Sequence, residues 1–232
     1  MSRPSERSPE HDVAVPAALL LLADSRLPAG AQAHSGGLAA AVDCGHVRTL
    51  ADLSDFLRGR LHTAGLLAAA AAARAAYVVD DAQQLQSLDR DIDARIVATA
   101  ARLASRAQGR GLRRIVAKAW PGPSLALLPE RPHAPVALGA AAVAVGAGAA
   151  AAAGLAALMS VTGPASAAVR LLGLDPLGVA ALLAELASAV DETAGRALAV
   201  AAPDRPLPAA NGPMLELYAQ AHTRMEVRLF AS

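Results

Sequence analysis

Residues 134–169 contain no charged side chain and consist mainly of alanine and glycine. Alanine is the strongest helix former and a weak strand former, so the composition of this stretch favours helix. Roughly a quarter of the whole chain is alanine and only 2% is aromatic, which leaves little material for a β-sheet core. The chain of 232 residues is 54% hydrophobic, enough for one sizeable core. The sequence therefore predicts an all-α fold.

The uncharged stretch admits two interpretations, a buried core helix and a membrane span. Its length is sufficient to cross a bilayer. It has few leucines or isoleucines, however, and Trp120 is the only aromatic residue near either end, whereas spans usually carry aromatic belts. We favour a helix over residues 136–160, buried at the centre of a helical bundle. A membrane-embedded helical protein using residues 134–169 is the alternative.

Helix signals along the chain predict a bundle of about eight to ten helices. Thr49 followed by Asp52 resembles a capping box at a helix start. Leucines with helical spacing follow, and the alanine-rich residues 66–76 either prolong this helix or form a second one. A further long helix is predicted from about Asp93 to Trp120. Gly163-Pro164 is predicted to break the chain after the buried helix.

The expected organisation is one helical domain with polar extensions. Its parts are a disordered leader (1–12), the helical domain (13–202), and a proline-rich linker with a partner-docking tail (203–232). Residues 13–23 imitate the apolar core of a signal peptide, but acidic residues outweigh the basic ones before them. The predicted location is therefore the cytoplasm.

Charge and motif content exclude several classes of function. The chain has 21 Lys+Arg against 20 Asp+Glu, a balance that argues against nucleic acid as a partner. No nucleotide-binding P-loop, zinc-protease motif or dinucleotide fingerprint occurs, so the chain is predicted not to be an enzyme and to bind no cofactor itself. His34 is a weak candidate for a metal ligand with Cys44 and His46. The alternative is that His34 braces a glycine-rich loop.

The predicted long helix carries a row of basic residues and an unusual pair of glycines. Arg102, Arg106 and Arg110 are spaced four apart and form one stripe. The stripe is a solvated face, a surface for an acidic protein partner or, against the balanced overall charge, a contact for nucleic acid. Gly109 and Gly111 weaken the helix, which indicates a kink or a close approach by a partner or a neighbouring helix.

Two further segments have the character of interaction surfaces. The loop over residues 24–37 contains glycines and a proline that favour one defined conformation, although a plain connector between helices is the alternative. The chain ends with Leu229 and Phe230 next to Arg228. Because a free tail seldom keeps two such apolar residues exposed, we expect this tail to dock, preferably on a partner protein.

Several segments together resemble one known family. Residues 19–42 (LLLLADSRLPAGAQAHSGGLAAAV) are similar to the opening signature of the UreF family of urease accessory proteins, a D-S-x-[FL]-P-x-G turn followed by H-S-x-G-L. Residues 105–121 resemble the middle helix of the family, and residues 167–176 its A-x-R-L-x-x-L segment. The ending VRLFAS resembles the R-L-F-x-S terminus.

The resemblance implies an all-α, non-enzymatic protein that commonly forms a homodimer. Its expected partners are UreD (also called UreH), the GTPase UreG and apo-urease, and nickel and GTP are handled by the assembled complex. The matching positions implied to bind partners are Asp24, Pro28, Gly30, His34, Ser35, Gly37, Arg106, Gln108, Gly109, Arg110, Arg170, Arg228, Leu229, Phe230 and Ser232.

The chain departs from the family pattern at four places, which indicates a divergent, actinobacterial-like branch. Gln32 stands where an aromatic residue is frequent, and Ala39 or Ala40 where glutamate commonly follows Gly-Leu. Asp175-Pro176 replaces a frequent Gly-Gln, and Thr223 stands where glutamate is usual. Transfer of residue roles is therefore weakest at Gln32, Ala39 and Pro176.

Overall fold

The regular structure of the described residues is helical, as the composition predicts. The computed structural model describes residues 16–24, 35–210 and 212–224, and no strand occurs among them. These described residues form eleven α-helices: α1 (Ala17–Ala23), α2 (Leu38–Asp43), α3 (Leu50–Arg60), α4 (Leu66–Tyr77), α5 (Ala82–Arg95), α6 (Thr99–Ala119), α7 (Ala134–Ala144), α8 (Ala149–Leu172), α9 (Pro176–Glu185), α10 (Ala187–Ala199) and α11 (Pro213–His222). The all-α prediction is confirmed.

The start of α3 forms as the sequence predicts. The Thr49 hydroxyl accepts a hydrogen bond from the Asp52 amide at 3.2 Å, and the Asp52 carboxylate accepts one from the Thr49 amide at 2.9 Å. This capping box satisfies two amides that would otherwise lack partners at the helix start. The alanine-rich stretch prolongs the helix, because α3 runs into α4 through a π-helical turn over Leu61–Gly65.

The centre of the bundle is built from α4 and α8, which pack on each other and on both α7 and α10. Most α4 alanines are fully buried, so α4 shares the centre that the sequence assigned to one helix over 136–160. Small side chains let these helices approach closely. A Cβ atom added at Gly139 of α7 would overlap the carbonyl oxygen of Ala72 in α4.

The uncharged stretch is two helices, and the predicted break at Gly163-Pro164 is wrong. The chain turns between α7 and α8, where Gly146 has the left-handed φ of 78° that ends a helix easily. Pro164 lies inside α8. Among the described residues, α8 alone is long and apolar enough to cross a membrane by length and composition, yet 61% of its apolar window is buried within the protein.

The predicted long helix is also divided. α5 continues to Arg95, and α6 starts at Thr99 rather than Asp93. Ile96 and Ala98 between them have extended backbone, and the Ala98 amide donates to the Glu216 carboxylate at 2.6 Å. Because Glu216 belongs to α11, distant in sequence, local propensity could not locate this break.

The proline-rich segment after α10 lies against the bundle. The buried Arg74 of α4 donates hydrogen bonds to the carbonyls of Val200 at 2.9 Å, Ala201 at 3.2 Å and Arg205 at 2.6 Å. Helix α11 then packs on α2 and α6. The assignment of 203–232 as a separate linker and docking tail stays a prediction.

Candidate functional site

A groove runs between the start of α2, the α3–α4 junction, α6, α7 and α8. It consists of two cavities of about 190 Å³ and 210 Å³ with common walls. The residues that line both cavities are Gly36, Arg60, Ala64, Ala68, Gln108, Ala134 and Pro135. We call the two cavities together the groove. Its walls are mainly apolar, with a few polar side chains at defined places.

The groove brings together residues from all three internal segments that resemble the UreF family. Asp24 follows α1, Gln108 lies on α6 and Arg170 lies near the end of α8, and all three line the first cavity. Gly37 and Gln108 line the second. Residues far apart in sequence therefore meet at one surface feature, which the sequence pattern alone could not establish.

Arg60, which the sequence analysis missed, lies at the middle of the groove. Its Nε donates to the Ser160 carbonyl of α8 at 2.9 Å, and Nη1 donates to the Gly36 carbonyl at 2.7 Å. Pro164 has no N–H, so the Ser160 carbonyl lacks its usual helical donor four residues on. Arg60 supplies that missing donor. We call Arg60, Gly36, Ser160 and Pro164 the Arg60 junction.

The environment of Arg60 is electrostatically unusual. The guanidinium forms no ion pair with the described residues, and burial lowers its pKa to about 10, so it stays charged near neutral pH. The sequence contained a signal for this position. Leu53 and Leu57 mark the buried face of α3, and Arg60 follows Leu57 by three residues on that same face.

A second arginine, Arg106 of α6, has a different environment. Its Nη1 donates to Asp89 at 2.9 Å and to the Arg131 carbonyl at 2.6 Å, and its Nη2 pairs with Asp93. The predicted stripe is therefore no free cationic face. Arg102 donates to the carbonyls of Ile96 and Val97, and Arg110 is exposed.

His133 completes this second cluster and is fully buried. Its amide donates to Asp89 at 2.8 Å, its Nε2 lies 2.9 Å from Asp93, and its Nδ1 lies 3.0 Å from the Ser105 hydroxyl. Burial lowers the pKa of His133 despite its contact with Asp93. Burial opposes ionisation of Asp93 too, but hydrogen bonds from Arg106 and His133 leave its pKa below the ordinary value. We call Asp89, Asp93, Ser105, Arg106 and His133 the Arg106 cluster.

The contacts from Ser105 to His133 and from His133 to Asp93 resemble those of a hydrolytic triad. The surroundings of these residues favour a structural role instead. The Ser105 hydroxyl also accepts the Ala134 amide at 3.2 Å at the start of α7. Asp93 is paired with Arg106, and the imidazole has no exposure to solvent. The cluster thus joins α5, α6 and the start of α7.

The close approach predicted at Gly109 is made by the chain's own backbone. A Cβ atom added there would overlap the Pro132 carbonyl oxygen and lie 2.8 Å from the His133 carbonyl carbon. Gly109 is buried, so any influence on a partner would be indirect. Its role in partner binding stays a prediction, as does that of exposed Arg110.

The described end of the predicted loop is a tight turn into α2. The buried Ser35 hydroxyl accepts a hydrogen bond from the Ala39 amide at 3.2 Å. Gly36 and Gly37 have φ values of 60° and 92°, a conformation that favours glycine. The other predicted positions lie outside the described residues and stay predictions: Pro28, Gly30, His34, Arg228, Leu229, Phe230 and Ser232.

His34, the centre of the predicted metal site, also lies outside the described residues. Within the described ranges, no three His, Cys, Asp or Glu side chains are grouped as a metal site would require. Cys44 is exposed, and His46 Nδ1 lies 2.8 Å from the Tyr218 hydroxyl. His133 and His222 are buried, and His62 is exposed.

Comparison with known proteins agrees with the motif resemblance. The UreF family model matches residues 47–187. A urease accessory protein UreF from Mycobacterium sp. (strain JLS) is 44% identical over 214 residues, covering 92% of this chain and 97% of that protein. Proteins of the same description from Mycobacterium tuberculosis and Mycolicibacterium vanbaalenii are each 41% identical, covering 93% of this chain and 98% of each relative.

Proposed function

The chain belongs to the UreF family of urease accessory proteins, and from this premise we propose that it joins UreD (UreH) and recruits the GTPase UreG for GTP-dependent nickel insertion into apo-urease. The family is non-catalytic, so the chain is not an enzyme. Its contribution is to hold other proteins in a productive arrangement. Nickel and GTP are then handled by the assembled complex, and the chain itself binds neither.

The observation that carries this proposal is the convergence at the groove. Asp24, Gln108 and Arg170 come from separate family-like segments and line one cavity. A scaffold needs such a composite surface. A partner that contacts several segments at once binds only the folded chain and not a short peptide from it. The groove walls are rich in alanine and leucine, which favours apolar contact with polar groups setting orientation.

Helix α1 extends the apolar surface beside the groove. Leu22 points into the first cavity, while Leu20 and Leu21 are 61% and 53% exposed. Adjacent exposed leucines next to a concave surface are typical of protein interaction sites. We assign α1 and the groove to the partner-binding face, together with the predicted loop and tail.

The C-terminal tail supplies the sharpest test of the proposal. We expect the double substitution Arg228→Ala with Phe230→Ala to abolish UreD binding and to leave the helical fold intact. The measurement is co-purification of the tagged full-length chain with UreD and UreG from the same organism, with circular dichroism as the folding check. Glu226→Ala, in the same tail but outside the motif, is the matched control and retains UreD.

Removal of residues 222–232 gives an independent version of the test. The full-length chain is expected to recover both partners, and the shortened chain to lose UreD. Failure of the well-folded full-length chain to recover either partner would refute the scaffold function. Unchanged UreD recovery by the double variant would refute only the role of the tail.

Two further features belong to the same proposal. We place the complex in the cytoplasm, and we expect the chain to be a homodimer, as the family implies. Light scattering of the purified chain measures its mass directly. A monomeric mass at micromolar concentration would contradict the dimer and leave the partner-binding proposal standing.

A further inference from the structure

The Arg60 junction connects three parts of the molecule through one side chain. Arg60 lies at the end of α3, immediately before the π-helical turn. It donates to Ser160 in the middle of α8 and to Gly36 in the turn before α2. π-Helical turns interrupt regular helices and occur frequently at functional sites. The fold thus directs this guanidinium to a backbone turn that forms a wall of the groove.

Besides accepting the hydrogen bond, Gly36 is in close packing contact with the Arg60 guanidinium. A Cβ atom added at Gly36 would lie 2.8 Å from the Arg60 guanidinium carbon, so the guanidinium lies directly against the glycine backbone. Gly36 also has a φ of 60°, which disfavours other residues. The turn and the arginine are therefore fitted to each other.

Core packing does not account for an arginine at this position. Arg60 is partly buried. Partial desolvation of a cation without a counter-ion is unfavourable, and an apolar side chain would fit the alanine-rich wall without that penalty. The charge-assisted hydrogen bonds to the two carbonyls offset the penalty and fix their positions. One of them compensates Pro164; the other acts only on the Gly36 turn.

We propose that Arg60 is a positioning residue for UreD binding: it holds the turn at Gly36 against α8 and thereby sets the shape of the groove that UreD recognises. This inference rests on the proposed function, in which UreD binds the C-terminal tail. Leu215, Glu216 and Ala219 of α11, the helix that precedes the tail, line the second cavity, so the groove is continuous with the part of the chain assigned to UreD. Arg60 need not touch UreD, since it acts through Gly36. Without it, the turn loses its fixed distance from α8 and the groove loses one defined wall.

The two carbonyl contacts can be separated experimentally. Pro164→Ala gives α8 an amide at this position, which can donate to the Ser160 carbonyl in the normal helical way. In that background Arg60 is no longer needed by α8, but the Gly36 carbonyl still depends on it. A purely structural role and a positioning role therefore predict different results for the double variant.

The experiment uses the full-length chain and purified UreD, with affinity and melting temperature measured for each variant. We expect Arg60→Met to weaken UreD binding at least tenfold and to lower the melting temperature. Combining it with Pro164→Ala should recover the melting temperature but not the affinity. Arg60→Lys has one ammonium group for two carbonyls and should give an affinity between those of Arg60→Met and the unsubstituted chain. If Arg60→Met folds poorly, Arg60→Lys takes its place in the comparison.

Val190→Ala is the stability control, because Val190 is buried in α10 and lines neither cavity. It should lower the melting temperature and leave UreD affinity within twofold of the unsubstituted chain. The inference is overturned if Arg60→Met and Arg60→Lys both bind UreD within twofold, or if Pro164→Ala restores affinity along with stability. Failure of the unsubstituted chain to bind UreD refutes instead the proposed function.

Discussion

Two partly buried arginines of this protein, Arg60 and Arg106, have opposite electrostatic environments. Arg106 pairs with two carboxylates, Asp89 and Asp93, and joins α5, α6 and α7 into one unit. Arg60 forms no ion pair with the described residues and is held by the carbonyls of Gly36 and Ser160. Both are charged at neutral pH, but only Arg106 is required to neutralise buried opposite charge.

This difference separates a contact that maintains the fold from one that shapes a surface. Removing Arg106 leaves the buried Asp89 carboxylate and the partly exposed Asp93 carboxylate without their arginine partner, so the free energy of unfolding of the whole molecule falls. Removing Arg60 leaves only backbone carbonyls, one of which belongs to a turn at the groove wall. The Arg106 cluster should therefore dominate stability, and the Arg60 junction should dominate recognition.

The largest effect is expected for Arg106→Met. The Asp89 side chain is only 7% exposed and loses its counter-ion, so we expect a loss of about 3 kcal/mol in the free energy of unfolding. Urea denaturation followed by circular dichroism measures it. Arg110→Met, one helical turn further on the exposed side, should stay within about 0.5 kcal/mol. Equal losses of unfolding free energy in the two variants would mean that the Arg106 cluster does not stabilise the fold.

Gly109→Ala tests the same cluster through its backbone. The added methyl group would overlap the Pro132 carbonyl, so α6 must move away from the start of α7. We expect a loss of about 2 kcal/mol. Gly154→Ala in α8 is the matched control, because a Cβ atom there meets nothing within 4 Å, and it should stabilise by up to about 1 kcal/mol. An unchanged free energy of unfolding in Gly109→Ala would contradict the close approach of the Pro132 carbonyl to Gly109.

Arg60→Met should lower stability less than Arg106→Met, by about 1–2 kcal/mol, because only hydrogen bonds to carbonyls are lost. In a Pro164→Ala background the loss should shrink, since the Ser160 carbonyl then has a helical donor. A double-mutant cycle of unfolding free energies measures this coupling. Additive effects would show that Arg60 does not compensate Pro164.

The smallest effect is a pH dependence carried by His133. Because burial lowers its pKa in the folded state, the unfolded state binds the proton more readily, and stability falls as pH drops below about 6.5. The contribution is fully present above that pH. We expect His133→Gln to flatten the decline in unfolding free energy between about pH 6.5 and 5. His62→Gln, at an exposed position, should leave the decline unchanged; a decline unaltered by His133→Gln would contradict the assignment.

Local sequence signals predicted those parts of the fold that depend on neighbouring residues. Thr49 and Asp52 predict the start of α3 correctly, because the hydrogen bonds of a capping box join residues only three apart in sequence. The boundary between α5 and α6 was mislocated because Glu216 of α11 receives the Ala98 amide. Local signals predict a break at Pro164, but Arg60, which donates to the Ser160 carbonyl in place of the missing amide, lies about a hundred residues away in sequence.

The candidate site shows the same division. The resemblance selected Asp24, Gln108 and Arg170, but only folding shows that they line one cavity. The Arg stripe was predicted from helical spacing, which carries no information about the carboxylates of α5 that engage Arg106. Arg60 was missed although it follows the apolar face of α3, because an arginine at such a position usually extends to solvent.

Urease maturation in cells tests the division between the two arginines most directly. A host lacking its own UreF is complemented with the unsubstituted chain, Arg60→Met or Arg106→Met, and urease activity is divided by the amount of soluble chain. We predict that Arg106→Met lowers activity only in proportion to soluble protein, whereas Arg60→Met gives low activity per molecule. Activity that follows soluble protein equally in both variants would contradict this division.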